Sequence, residues 1–286
     1  MTDSTSQAAP APDERLLVQK EASLRAAIAG YESVVVAFSG GTDSAYLGWV
    51  ARDVLGDRAL CVTADSPSLP SRHRRRALEL ARAFALPHEF IITNEMDLPE
   101  YTANEPDRCY HCKRELFSRL AELARARGIA IVADGANADD RGDYRPGRRA
   151  ARELGVRSPL DEAGLAKADI RELSRRAGLP TWDEPASACL SSRIPYQSAV
   201  TPEKLAAIER AEDVLAGLGF RQYRVRHHGD VARIEAGPDD FPRMLEPAVR
   251  EALVRELKLV GFRYVALDLQ GYRTGSLNEG VRLKPV

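Results

Sequence analysis

Val34 to Ser44 reads VVVAFSGGTDS, and the fold turns on this stretch. Val34, Val35 and Val36, with Ala37 and Phe38, make an apolar, β-branched run without alternation and too short for a helix. That is the pattern of a strand buried on both faces, as in a parallel sheet. The turn Ser39-Gly40-Gly41-Thr42-Asp43-Ser44 follows, and a helical pattern starts at Ala45. Paired glycines let the chain turn sharply and let a ligand approach with no Cβ in the way. The N–H groups of such a turn and the dipole of the following helix favour an anion, and a phosphate suits the spot. No lysine lies between Gly40 and Arg52, so this is not a Walker A loop. Nor is it the dinucleotide fingerprint G-x-G-x-x-G. A plain strand-to-helix turn would explain the glycines alone; the whole string in this setting favours phosphate.

The chain of 286 residues has room for one large or two ordinary domains. A net charge of −1 and a pI near 6.6 argue against a dedicated nucleic-acid binder. No apolar run approaches the length of a membrane span. Residues 1–13 are mostly small and polar and read as a disordered tail, not a signal peptide. The expectation is a cytoplasmic protein with no nucleic-acid or membrane partner. There, the four cysteines suit catalysis or metal binding better than disulfides.

Helices are expected over Glu14–Ala29, Ser71–Ala85, Cys109 to about Arg127 and Asp169–Ala177. Strands are expected over Ala59–Asp65, Glu89–Ile92 and Ile129–Asp134. Strand and helix alternating in this way predict an α/β, doubly wound parallel sheet over residues 14–200, with ligands beyond the strands' C-terminal ends. Gly40-Gly41, Asp65 and the segment Asn137 to Asp140 all fall at such ends, although each Asp could equally be a helix cap. Arg72, Arg74, Arg75 and Arg76 read as a solvated helix face, with an anionic partner as the alternative. Gly142 to Arg149 reads as a mobile loop and Trp182 to Tyr196 as an irregular one. Residues 201–286 read as a second, smaller α/β domain. Its elements are a helix Glu203–Leu218, a hairpin of Tyr223–Arg226 with Ala232–Glu235, a helix Asp239–Lys258 and a strand Tyr264–Leu269.

Cys61 sits inside a strand and reads as core. Cys109 and Cys112 form a C-x-x-C at a helix start, where the dipole favours thiolate, and Cys189 lies in the later loop. Three readings stand side by side. The thiols could be unrelated. A zinc site would need a fourth ligand, for which His111 is badly placed. An iron–sulfur cluster on three cysteines would leave one iron open, which suits sulfur transfer.

FSGGTDS (Phe38 to Ser44) resembles the SGG-x-DS motif of the PP-loop ATP pyrophosphatases. With RCYHCK (Arg108 to Lys113), DGANADD (Asp134 to Asp140), WDEPASACLSSRIPY (Trp182 to Tyr196) and VRHHGDVARIE (Val225 to Glu235), the chain resembles the LarE family from about Glu14 to Arg273. Those sulfur transferases serve nickel-pincer nucleotide biosynthesis. The resemblance implies that a carboxylate of pyridinium-3,5-biscarboxylic acid mononucleotide is adenylated and converted to a thiocarboxylate. It implies ATP and Mg²⁺ at Ser39, Gly40, Gly41, Asp43, Ser44, Asp65, Asn137 and Asp140, with Asp43 and Cys189 catalytic. Cys189 matches the sulfur donor of the single-cysteine version. The added Cys109 and Cys112 resemble the variant in which a [4Fe–4S] cluster sits on Cys109, Cys112 and Cys189. Ser192, Arg193, Arg224 and Arg226 are candidates for the substrate's phosphate and carboxylate, since arginine forks match both. Arg224 reads equally well as a surface charge. A homo-oligomer is expected. A tRNA-thiolating PP-loop enzyme and a non-catalytic ATP-binding protein are the rival readings.

Overall fold

The structure, a computed structural model, describes residues 13–142, 146–185, 188–273 and 275–278. The expected N-terminal tail lies outside the described residues except for Asp13. That residue caps α1 (Glu14–Ala29), its carboxylate accepting from Arg15 N at 3.0 Å.

Four strands, β1 (Val34–Ala37), β2 (Ala59–Asp65), β3 (His88–Ile92) and β4 (Ile131–Ala133), form a sheet in the order β3-β2-β1-β4. All three pairings are parallel. Between them run α2 (Thr42–Leu55), α3 (Ser71–Ala83), α4 (Pro99–Thr102) and α5 (Arg108–Arg127); α6 (Pro146–Glu153), α7 (Pro159–Glu162) and α8 (Lys167–Arg176) follow β4. The unbroken apolar run of β1 has a simple cause. Val34 and Val36 pack with Leu17, Leu24 and Ile28 of α1 and with Leu47 and Val50 of α2. Val35 packs on the other face against Phe117 and Leu120 of α5 and Ala150 of α6. Each such side chain contributes about 1.5–3 kcal/mol on burial, so neither face tolerates a polar residue. Cys61 is core as expected, and burial pushes its thiol up to about 12.

The chain moves from β1 to β2 and β3 on one side, then returns to place β4 on the other. The order therefore reverses beside β1, which puts the crevice of a doubly wound sheet at the C-terminal ends of β1 and β4. Gly40 sits there with φ +70° and its backbone against α3: a Cβ would lie 3.2 Å from Ala77 N. Glycine is required at that position.

The second unit comprises α9 (Pro202–Gly217), β5 (Tyr223–His228), β6 (Val231–Ala236), α10 (Phe241–Met244), α11 (Pro247–Val260) and β7 (Tyr264–Leu267). Its sheet runs β5-β6-β7, the first pair antiparallel and the second parallel. Its core is Leu215, Phe220, Val225, Ile234, Leu253, Leu257 and Phe262.

Two expectations change. The helix expected over Asp239–Lys258 is broken, because Pro247 holds Glu246 extended (ψ 132°) and starts α11 afresh. The loop expected over Gly142–Arg149 contains the start of α6, with Pro146 at its first position. Ala150 and Ala151 bury against α5, and the Arg149 guanidinium lies 3.8 Å from the centre of the Tyr110 ring. Residues 143–145 of that segment lie outside the described residues.

Candidate active site

The loop Ser39–Ser44, the expected phosphate site, is tied by its own short side chains. Ser44 Oγ accepts from Ser39 N at 3.1 Å, pairs with Ser39 Oγ at 3.0 Å and donates to Gly41 O at 3.2 Å. Gly41 precedes α2 with no side-chain cap, so the first N–H groups of that helix have no side chain to satisfy them there. Thr42 Oγ1 donates to Thr181 O at 2.7 Å, which fixes the loop against the segment after α8. Asp43, the expected metal and catalytic residue, accepts from Lys167 Nζ through both carboxylate oxygens, at 2.8 and 2.7 Å. Lys167 carries no sequence signal beyond its place at a helix start.

The turn after β4 lies beside this loop. Asn137 and Asp140 are buried and serve their own backbone: Asp140 Oδ2 accepts from Asn137 N, and Asn137 Oδ1 from Asp139 N, each at 3.0 Å. Asp65 accepts from Arg74 Nε at 3.0 Å. Asn137 and Asp140 thus shape the turn beside the loop, while Asp65 stands at the end of β2.

Cys189 precedes a 3-10 turn, Leu190–Arg193, and Leu190 N donates to Ser68 O at 2.9 Å in the segment that leaves β2. The cysteine turn thus sits over the same C-terminal end of the sheet as the phosphate loop. Cys109 is exposed in the first turn of α5; Cys112, one turn on, packs with Met96 and Leu98 against Tyr101, Leu190 and Ile194. Cys112 lies within electrostatic reach of both Cys189 and Cys109. Burial, then Glu95 and Cys189, pushes its thiol well above the ordinary range, so the expected thiolate at the helix start does not hold for it. Among the described residues, no three His, Cys, Asp or Glu side chains could share a single metal ion. A cluster, unlike a mononuclear zinc site, spreads its thiolates over separate irons. Beneath the cysteines lies the buried Arg108, which donates to Asn104 Oδ1 and, at 2.9 Å, to Ser191 O; Tyr101 OH meets Ser191 Oγ.

The arginines differ most from expectation. Arg193 is fully buried: Nε and Nη2 donate to Glu212 at 2.8 and 3.1 Å, and Nη1 to Ala188 O, Cys189 O and Ser192 Oγ at 2.7, 3.0 and 2.9 Å. Burial would raise the Glu212 carboxyl, but Arg193 and then Arg72 outweigh it and hold it at about 2. Arg226 grips Glu235 at 3.0 and 2.7 Å and donates to Ser192 O at 2.6 Å. Both forks, expected on substrate, are occupied by carboxylates and by the backbone of the cysteine turn. Ser192 Oγ itself donates to Cys189 O at 2.7 Å. Arg224 is buried, not a surface charge; it donates to Tyr223 O at 2.8 Å and lies 5.0 Å from the Tyr272 ring centre. Burial, and then Arg193, lowers its guanidinium to about 10. On α3, Arg72 pairs with Glu212 at 2.7 Å and Arg76 with Glu184 at 3.0 Å, so this is not a freely solvated face. Glu212 had a readable signal, for it falls on the apolar stripe Leu205, Ile208, Leu215.

No protein-family model matches the chain. Over 263 residues it is 45% identical to an uncharacterised protein of Synechocystis, covering 92% of this chain and 98% of that one. Over 264 residues it is 38% identical to pyridinium-3,5-bisthiocarboxylic acid mononucleotide synthase of Lactiplantibacillus plantarum, covering 92% and 95%. An uncharacterised protein of Methanocaldococcus jannaschii is 28% identical over 243 residues, covering 85% and 92%.

Proposed function

The chain belongs to the family of pyridinium-3,5-bisthiocarboxylic acid mononucleotide synthases, the LarE family, and from that premise we propose that it is an ATP-dependent sulfur transferase acting on a pyridinium carboxylate mononucleotide. The observation that carries this reading is the shared position of two devices: the uncapped phosphate loop and the Cys189 turn stand over one end of one sheet.

In this proposal the loop Ser39–Ser44 holds the β- and γ-phosphates of ATP on its N–H groups. The substrate carboxylate attacks the α-phosphorus, the bond to the bridging oxygen breaks, and pyrophosphate leaves into the loop. The carboxylate has then become an acyl adenylate, whose leaving group is AMP. A sulfur nucleophile adds to the acyl carbon and expels AMP, leaving a thiocarboxylate. Oriented N–H groups stabilise charge as it develops on the departing phosphates. Asp43 is the residue for Mg²⁺, a hard cation that takes carboxylate oxygens and neutralises phosphate charge.

Cys109, Cys112 and Cys189 would hold a [4Fe–4S] cluster, which supplies an open iron able to carry sulfide. Arg193 and Arg226 hold the carbonyls of Cys189 and Ser192, and so fix where the sulfur stands. Arg224, buried beside Tyr223 and Tyr272 at this joint, is a candidate for the substrate phosphate. The near-neutral net charge favours a small nucleotide over tRNA.

Anaerobic protein given ATP, sulfide and the carboxylate nucleotide should form thiocarboxylate over repeated turnovers, with AMP as the nucleotide product and iron and sulfide in cluster proportion. Release of ADP would end the adenylation reading. Iron-free protein whose Cys189 loses the mass of H₂S after one turnover would replace the cluster with a sacrificial cysteine.

A further inference from the structure

Arg108 is only 1% exposed, and it is the first residue of α5, where the helix dipole disfavours a cation. Its Nη1 donates to Asn104 Oδ1 and, at 2.9 Å, to Ser191 O, and its guanidinium carbon lies 6.0 Å from the centre of the Tyr196 ring. Asn104 is itself fully buried and pinned, its Nδ2 donating to Pro195 O and Ser198 O at 2.7 and 2.8 Å. The guanidinium is thus fixed between the start of α5, which carries Cys109 and Cys112, and the turn that follows Cys189.

It lacks an acid. Arg193 and Arg226, which also bond to the cysteine turn, have Glu212 and Glu235 as partners. Among the described residues, no carboxylate lies within ion-pair distance of Arg108, and Asp107 beside it stands 3.6 Å from His111 Nε2 instead. A guanidinium taken out of water needs an anion nearby. Burial works to lower its pKa, but Cys109 and Cys189, then Tyr101 and Tyr196, outweigh burial and hold it above the ordinary arginine value. Neutral thiols give Arg108 no countercharge. Thiolates on iron do, because a [4Fe–4S]²⁺ core held by three thiolates is a net anion.

We infer that Arg108 is the buried counter-ion of the anionic centre that Cys109, Cys112 and Cys189 form. It lowers the cost of holding that charge away from water, and it makes the centre easier to reduce, since net charge is one of the levers on a cluster's potential. This rests on the proposed cluster reading of the three cysteines.

Full-length wild type, Arg108→Gln and Arg108→Lys, each loaded anaerobically with iron and sulfide, test it by midpoint potential and by iron loss to a chelator. Arg108→Gln should titrate at a more negative potential than wild type, because the electron then adds to an uncompensated anion. It should also lose iron about tenfold faster or more, the scale on which groups behind the ligands alter metal affinity. Arg108→Lys, which keeps the charge without the fork, should stay close to wild type in both. Denaturation with and without iron separates charge from bracing: the stability gained on loading should be large for wild type and Arg108→Lys and small for Arg108→Gln. Wild-type potential and iron retention in folded Arg108→Gln overturn the inference. If Arg108→Gln does not fold, Arg108→Lys decides: iron held at wild-type potential upholds the inference, and iron lost tenfold faster overturns it. Wild type that binds no iron overturns the cluster reading and the inference with it, whereas a loaded wild type with unaffected variants overturns the inference alone.

Discussion

The two halves of the crevice are held by different means. The loop Ser39–Ser44 is fixed by hydroxyl and backbone contacts, most within the loop itself and one to Thr181 O, and its ion pair with Lys167 is partly solvated. The cysteine turn is fixed by buried ion pairs drawn from α3, α9, β5 and β6, with Glu212 and Glu235 fully buried at their centre. A charge lost from the first half is replaced by water. In the second it leaves a partner stranded in a low dielectric, a difference of about 3–5 kcal/mol against 0–1 kcal/mol. The loop's ion pair can therefore be exchanged for water at little cost, while the buried pairs hold the cysteine turn in one geometry.

Glu212→Gln is the harshest way to break that contrast. It strands Arg193 and weakens Arg72, and chemical denaturation should show a loss of about 3–5 kcal/mol. The pH dependence has a definite sign. The folded carboxyl lies at about 2, below its ordinary value of 4.5, so its stabilisation is full above the unfolded pKa and is lost as pH falls from about 4.5 toward 2. The stability gap between wild type and Glu212→Gln should therefore close over that range; a gap independent of pH would remove Glu212 from the account.

Asp43→Asn is the mild counterpart. The pair with Lys167 is partly exposed, and its loss should cost no more than about 1 kcal/mol in the same denaturation measurement. Adenylation should nevertheless fall by about a hundredfold or more, the scale of losing a group that acts only on the transition state. A stability loss as large as that of Glu212→Gln would erase the distinction between the halves.

That distinction also governs what could be read from sequence. Val34–Ser44 declared a strand and a tight turn, because a buried parallel strand and a glycine turn are local properties with local signatures. The cysteine turn was legible as a loop with Cys189 in it, but the use of Arg193 and Arg226 was not. An arginine reads the same whether it faces a substrate or a carboxylate, and their partners Glu212 and Glu235 are 19 and 9 residues away. Lys167 reaches Asp43 across 124 residues, and only the folded chain brings them together. The start of α6 was hidden for another reason: Pro146-Gly147 resembles a turn, and the arginines that follow mask two buried alanines.

In the proposed function, adenylation belongs to the loop Ser39–Ser44 and sulfur transfer to the cysteine turn. ATP–pyrophosphate exchange and thiocarboxylate formation, measured side by side on Cys189→Ala with the carboxylate nucleotide present, test it most directly. Exchange should continue at close to the wild-type rate while thiocarboxylate disappears. Loss of both together would show that the two halves are not separate devices, and thiocarboxylate formed without Cys189 would contradict the account.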